Sequence, residues 1–403
     1  MANFSLRDSF TWGRLRFVAR FHALRGKALA FLLFIWFLWF MNFMARTVLS
    51  PILPLIEDEF HVLHARATSV FLFIGVGYGS SVFFSGVYAR IFGPRKSVCM
   101  SLSFLGLAFV GASMVKTFNL FYPVGVLLGL ATGMYLPAAI PLLTEYYDQE
   151  QWGKVIAVHD SGAALSMTAI PFIAVLLLLI LPWRHILDTI AAAYFLAALI
   201  FYLVSEEVAV GGKSTYFPGQ VLRSRSLWLI GIIWIFMAGA TMGLYFVVPL
   251  YLAKELSLGV EYANTLFGIS RIGAAAIGIT AGFLVDRFRA RKIAFVLVLL
   301  TGIFTALVAI RELWWLKVFL FVQASVAAGF PPVSLVAVSR MCESEMRGQA
   351  VGFIVTLGVI GTAFIPYFLG LCGDLVSFRL GFLLLGIATA LSSGLFYFVK
   401  ELK

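Results

Sequence analysis

Twelve continuous hydrophobic stretches, each roughly 20 residues long, alternate with short polar segments along this chain. They fall at about 28–50, 67–90, 97–115, 119–143, 154–181 and 185–204, and then at about 226–253, 261–286, 293–310, 314–340, 347–372 and 378–399. A helix needs ~20 apolar residues to cross the ~30 Å hydrocarbon core of a bilayer. A barrel strand would alternate apolar and polar residues over ~10 positions instead. Backbone groups cannot be left unpaired in hydrocarbon, so continuous runs of this length predict helices. The pattern predicts an all-α membrane protein of twelve transmembrane helices in two six-helix bundles.

Four regions follow. Residues 1–27 hold six basic residues among Phe and Trp and read as a basic amphipathic segment on an anionic leaflet. Residues 28–204 make the first bundle, 205–225 a polar linker, and 226–403 the second bundle. Composition agrees: 62% of the 403 residues are hydrophobic and 12% charged, against ~45–50% and ~25% in soluble domains. The net charge of +11 does not point to nucleic acid, because the basic residues sit in short loops. Of the 30 Lys and Arg, 21 fall in the terminal segments, the linker and the loops on that side; seven fall in the alternate loops, and two lie inside spans. Positive residues favour the cytoplasmic side. Both termini and the linker are therefore expected in the cytoplasm, in a bacterial inner membrane.

A loop recurs. Gly86, Arg90, Arg95 and Lys96 after the second span match Gly282, Asp286, Arg291 and Lys292 after the eighth, 196 residues on. Glu145 and Arg340 likewise lie eight residues before Gly153 and Gly348. Such repeats are expected where a solute site lies between two bundles that rock against each other. This loop, with twelve spans and a central linker, resembles the signature of the major facilitator superfamily over the whole chain. The resemblance implies a secondary transporter working by alternating access, not an enzyme. It also implies a cytoplasmic gate built from Arg90, Glu145, Asp286, Arg340, Arg95 and Arg291. The family places Asp where this chain has Arg90, and often Arg where it has Glu145. The first half thus carries swapped signs, while the second keeps the usual ones.

Ionisable groups at membrane depth are costly and mark candidate sites. Arg46, in the first span, is too far from the basic segment to reach the cytoplasmic surface. Its position is similar to the first-helix arginine of organic-phosphate and organic-anion facilitators. Arg271, in the eighth span, lies near mid-depth. Two guanidiniums could clamp a carboxylate or phosphate between them, although those facilitators draw the second arginine from helix 7, which has none here. His159 and Asp160 open the fifth span and are candidates for carrying a coupled proton; a solvated helix start is the alternative. Tyr135, Thr241, Tyr245 and Gln323 are uncharged cavity candidates. Proline pairs at 51 and 54, 137 and 141, and 331 and 332 predict kinks.

No phosphate-cradling Gly-x-x-x-x-Gly-Lys-Ser/Thr loop is present, so ATP is not the expected driver. No cofactor or metal is expected. Three well-separated cysteines form no ligand pattern. His61 and His64, beside Glu57, Asp58 and Glu59, read as a solvated outer loop. The expected function is proton-coupled symport of a small organic anion by a monomer in the lipid bilayer. The alternatives are an exporter of lipid or amphipathic compounds and a non-transporting sensor with the same fold.

Overall fold

The computed structural model describes residues 24–207, 219–287, 289–343 and 346–399; side chains at 86, 87, 89, 90, 219, 220, 275 and 278–287 fall outside that description. The basic stretch before residue 24, the middle of the linker, and the side chains of Arg90 and Asp286 therefore lie outside the described residues.

Each hydrophobic run folds as a helix. The first is α1 (Lys27–Phe60). It breaks at Val48, three residues before Pro51. Proline has no N–H to donate, and its ring crowds the carbonyl one turn back. Residues 64–92 form α2 and 94–113 form α3. Gly93 separates them at φ 76° and ψ 165°, a conformation in which L side chains are strained. The first half continues with α4 (Phe121–Tyr146), α5 (Trp152–Leu178) and α6 (Trp183–Val204). The second comprises α7 (Arg225–Lys254), α8 (Val260–Arg287), α9 (Ala290–Leu307), α10 (Leu313–Met341), α11 (Arg347–Leu375) and α12 (Phe378–Phe398). A break at Gly329 just precedes Pro331 and Pro332 in α10, whereas α4 runs unbroken through Pro137 and Pro141.

Among the described residues ten helices are long and apolar enough to cross a membrane. The other two, α2 and α8, pack across the molecule against α11 and α5. Their surfaces meet protein rather than lipid, so small and polar residues replace apolar ones. A Cβ at Gly75 of α2 would lie 2.3 Å from the Ala363 Cβ of α11. One at Gly370 of α11 would lie 2.2 Å from Thr68 Oγ1 and 2.7 Å from the His64 carbonyl oxygen. Two helix backbones this close gain many dispersion contacts, the main attraction available between spans in lipid.

The repeat extends well beyond the loop. Glu59 accepts hydrogen bonds from Arg184 (2.6 Å) and the Trp183 indole (2.7 Å), tying the end of α1 to the start of α6. Glu255 does the same for α7 and α12, accepting from Arg379 Nε and the Phe378 amide, both at 2.6 Å. At the linker end Arg95 lies 4.5 Å from the Tyr202 ring and donates to that residue's carbonyl, and Arg291 lies 5.6 Å from the Tyr397 ring. These contacts recur at offsets of 195 or 196 residues. Each fastens the sixth helix of its half, so each half is braced at both ends.

At the end opposite the linker, hereafter the distal end, the two halves meet through charge. Lys254 pairs with Asp58, its own counterpart 196 residues earlier, and approaches Glu57 at 3.8 Å. Glu57 also pairs with His64 Nδ1 at 2.8 Å. Asp374, from α11, accepts from the His64 and Ala65 amides at 2.9 and 2.8 Å. It caps α2 from across the interface, where the positive end of the helix favours a carboxylate. Asp58, Glu59 and His61 are exposed, as expected of a solvated loop, and the expectation is corrected at Glu57. Glu57 is 6% exposed, because the second half covers it and supplies its cation.

Two outcomes follow for the distal closure. Asp374→Asn removes a charged cap worth about 1 kcal/mol, so the distal loops should separate in several-fold more molecules. Gly370→Val overpacks the α2–α11 contact by about 1–3 kcal/mol and should act in the same direction more strongly. Distance distributions between spin labels at Val62 and Leu258 check both; unchanged distributions would contradict this account of the closure.

Candidate functional site: a two-arginine cavity between the halves

Beneath the distal contacts lies a cavity of about 460 Å³ lined by both halves. Polar contacts cross the interface beside it. Ser50 donates to the Tyr245 carbonyl at 2.9 Å, Asn264 to the Pro51 carbonyl at 2.9 Å, and the Tyr245 hydroxyl to the Met167 carbonyl at 3.0 Å. Ser50 and Tyr245 are themselves equivalent positions, 195 residues apart.

Arg46 and Arg271 open on this same cavity, one from each half. Arg46 sits in the last turn of α1 before the break at Val48. Its Nη2 donates to Asn42 Oδ1 at 3.0 Å, and Asn42 is held in turn by the Thr132 carbonyl at 3.1 Å. Its guanidinium carbon lies 4.4 Å from the Tyr78 ring and 4.5 Å from that of Phe43. Arg271 is only 3% exposed. It stands 4.8 Å from the Phe267 ring and 5.1 Å from that of Tyr245. Neither Nε has a hydrogen-bond partner, and among the described residues neither guanidinium meets a carboxylate.

Apart from Thr168, Thr241 and Thr362, the remaining lining is apolar and aromatic. Trp39 and Trp234 are equivalent residues, 195 apart, and each packs against an equivalent ring. Trp39 stacks on Tyr135 with centroids 5.5 Å apart, and Trp234 lies 5.5 Å from Phe330. Met167, Met237 and Met242 complete the wall. Among the described residues the lining contains no Asp, Glu, Lys or His.

Three sequence candidates sit behind this wall rather than on it. Tyr135 is fully buried and donates to the Ile35 carbonyl at 3.0 Å. Tyr245 is buried beneath Arg271. Gln323 donates to the Ala240 carbonyl at 2.8 Å, inside a wide π-helical turn at Gly239–Gly243. Such turns are rare and recur at functional sites. Thr241, in the same turn, does line the cavity.

His159 and Asp160 separate. His159 is fully buried, stacked on Trp39 with centroids 5.3 Å apart, and lies 3.5 Å from the Tyr135 hydroxyl. This corrects the alternative of a solvated helix start for the histidine. Asp160 is exposed, one turn before Ala164 on the face of α5 that lines the cavity. Of the gate candidates, Glu145 and Arg340 are exposed at the linker ends of α4 and α10. Arg95 and Arg291 brace their own halves.

Sequence reasoning missed the aromatic walls. The repeat could have supplied them, since Trp39 and Trp234 are related by nearly the same offset as the loop.

The profile of the Major Facilitator Superfamily matches residues 35–277 and 240–403. Protein TsgA of Salmonella arizonae is 24% identical over 324 residues, covering 76% of this chain and 78% of its own. The Salmonella typhimurium protein of that name is 23% identical over 321 residues, with the same coverage. Among solved structures, a bacterial homologue of the human lysosomal transporter Spinster, inward-facing and occupied, superposes with a TM-score of 0.82 at 14% identity, covering 93% of this chain and 97% of that one. A D-xylose–proton symporter gives 0.79 at 14% identity over 94% and 99%. With both halves matched by the profile and the whole fold shared with solved transporters, this multi-pass membrane protein belongs to the Major Facilitator Superfamily.

Proposed function

We propose that the chain carries a small organic anion across the membrane by alternating access, together with a proton. The observation that carries this reading is the pair of arginines without carboxylates in an apolar cavity. Burying an unpaired cation costs several kcal/mol. Two aromatic faces return about 1–2 kcal/mol each when desolvated. The balance leaves a site that gains most from an arriving anion, which guanidiniums can hold two oxygens at a time.

Residues 28–204 and 226–403 act as the rocking units, a role supported by their matched end braces. The distal end is closed, and on the cavity face of α5 Pro171 is buried and Thr168 half-buried, whereas Ala164, Asp160 and Gly153 are exposed. This direction leads to the linker end, which the distribution of Lys and Arg assigns to the cytoplasm. Arg90, Glu145, Asp286 and Arg340 form the gate that closes there when the distal end opens.

Asp160 is the proton carrier in this scheme. It is an exposed carboxylate on the cavity-facing side of a membrane-depth helix, between the arginines and the linker end. A substrate arriving in the cavity adds negative charge near it and favours its protonation.

In proteoliposomes an imposed inward proton gradient should drive anion accumulation. Arg46→Ala should lower uptake by at least ~10-fold, the loss expected for a charged hydrogen bond, with an unchanged elution profile; normal uptake by that variant refutes the substrate site. Asp160→Asn should abolish accumulation driven by the pH gradient while leaving anion exchange at equal concentrations intact. Gradient-driven uptake that survives in Asp160→Asn excludes this residue as the carrier.

A further inference from the structure

The cavity has features that a generic anion site does not need. Its charge is concentrated at two guanidiniums, while most of the rest of its lining is rings, methionines, alanines and aliphatic side chains. Thr168, Thr241, Thr362 and Tyr78 also line it; the first two hydroxyls donate to backbone carbonyls of their own helices, Ala164 at 3.1 Å and Met237 at 2.8 Å, so few neutral polar groups remain for a solute. A solute rich in hydroxyls would leave most of its groups unpaired here, which is strongly unfavourable. The two tryptophans are related by the internal repeat, and each is backed by a ring at 5.5 Å. They form aromatic walls on the two halves, with Met167, Met237 and Met242 between them as adaptable apolar surface.

The charges break the symmetry that the walls keep. The repeat sets Arg46 opposite Thr241 and Met242, and Arg271 opposite Gly75. All of these line the cavity, and none of the counterparts is charged. The site therefore draws its two guanidiniums from non-equivalent positions, one on each half, and not from a matched pair. It fits a solute with a single anionic head.

Building on the anion reading above, we propose that the substrate is an apolar monoanion with a flat body: a free aromatic carboxylate. Its carboxylate lies between Arg46 and Arg271, and its ring between the Trp39 and Trp234 walls.

Binding is measured by calorimetry on the purified protein in phosphatidylcholine nanodiscs with 2-naphthoate, acetate, 2-naphthylmethanol and D-xylose. Naphthoate is expected to bind roughly 10–100-fold more tightly than acetate, from the apolar surface buried. It should also exceed naphthylmethanol by about tenfold or more, from the charge-assisted bonds, and D-xylose should not bind. Trp234→Ala should reduce naphthoate affinity and leave acetate unchanged, while Trp234→Phe restores most of the loss. Arg271→Gln should reduce both acids. Acetate binding as tightly as naphthoate overturns the aromatic-acid assignment and leaves the anion reading standing. Naphthylmethanol binding as tightly as naphthoate overturns both. Absence of naphthoate binding also overturns the assignment. Phosphatidylglycerol added to the nanodiscs separates the free acid from an anionic lipid: unchanged naphthoate affinity is expected, and displacement by the lipid contradicts a free acid.

Discussion

Two guanidiniums face an apolar cavity in the middle of this protein, with no carboxylate beside either among the described residues. In low dielectric an unpaired cation is among the least favourable groups a fold can carry. Aromatic faces and one asparagine moderate that cost without cancelling it. The surrounding structure is what makes the arrangement tolerable. Asn42 orients Arg46 and is itself fixed by α4, while Phe267 and Tyr245 flank Arg271. The tight α2–α11 crossing and the distal charge network hold the two halves against each other above the cavity. The standing electrostatic deficit is then available to bind an anion and to bias the equilibrium between conformations, since a ligand shifts such an equilibrium only by its differential affinity.

The distal closure is built differently from the braces within each half. Glu59 with Arg184 and Glu255 with Arg379 are repeats of one contact, and both keep a half rigid. Lys254 and Asp58 are equivalent positions of opposite sign that meet across the interface. Opposite charges at symmetric positions allow the halves to pair where like charges would repel. These pairs are partly exposed, so each contributes modestly. That suits a gate, which must open as well as close.

The helices, their number and the two-half plan were legible because span length and hydropathy dominate in lipid, where backbone pairing leaves few alternatives. Arg46 and Arg271 were legible as charges at mid-depth, and the structure brings them to one cavity. Three uncharged candidates were not resolved by sequence. Tyr135, Tyr245 and Gln323 lie on helices that line the cavity, yet point behind its wall, since hydropathy does not give the rotation of a helix that is apolar all round. Glu57 looked solvated like its exposed neighbours Asp58 and Glu59 because Lys254, which approaches it, and the cover over it come from the other half. His159 and Asp160 are adjacent in sequence but turn about 100° apart on the helix, which buries one and exposes the other.

An anion bound between the two arginines is tested most directly by a structure of the protein with 4-bromobenzoate. The carboxylate oxygens are expected within hydrogen-bond distance of both Arg46 and Arg271, with the anomalous bromine signal between Trp39 and Trp234. Bromobenzoate located elsewhere, with both guanidiniums still resting on their aromatic faces, would contradict it.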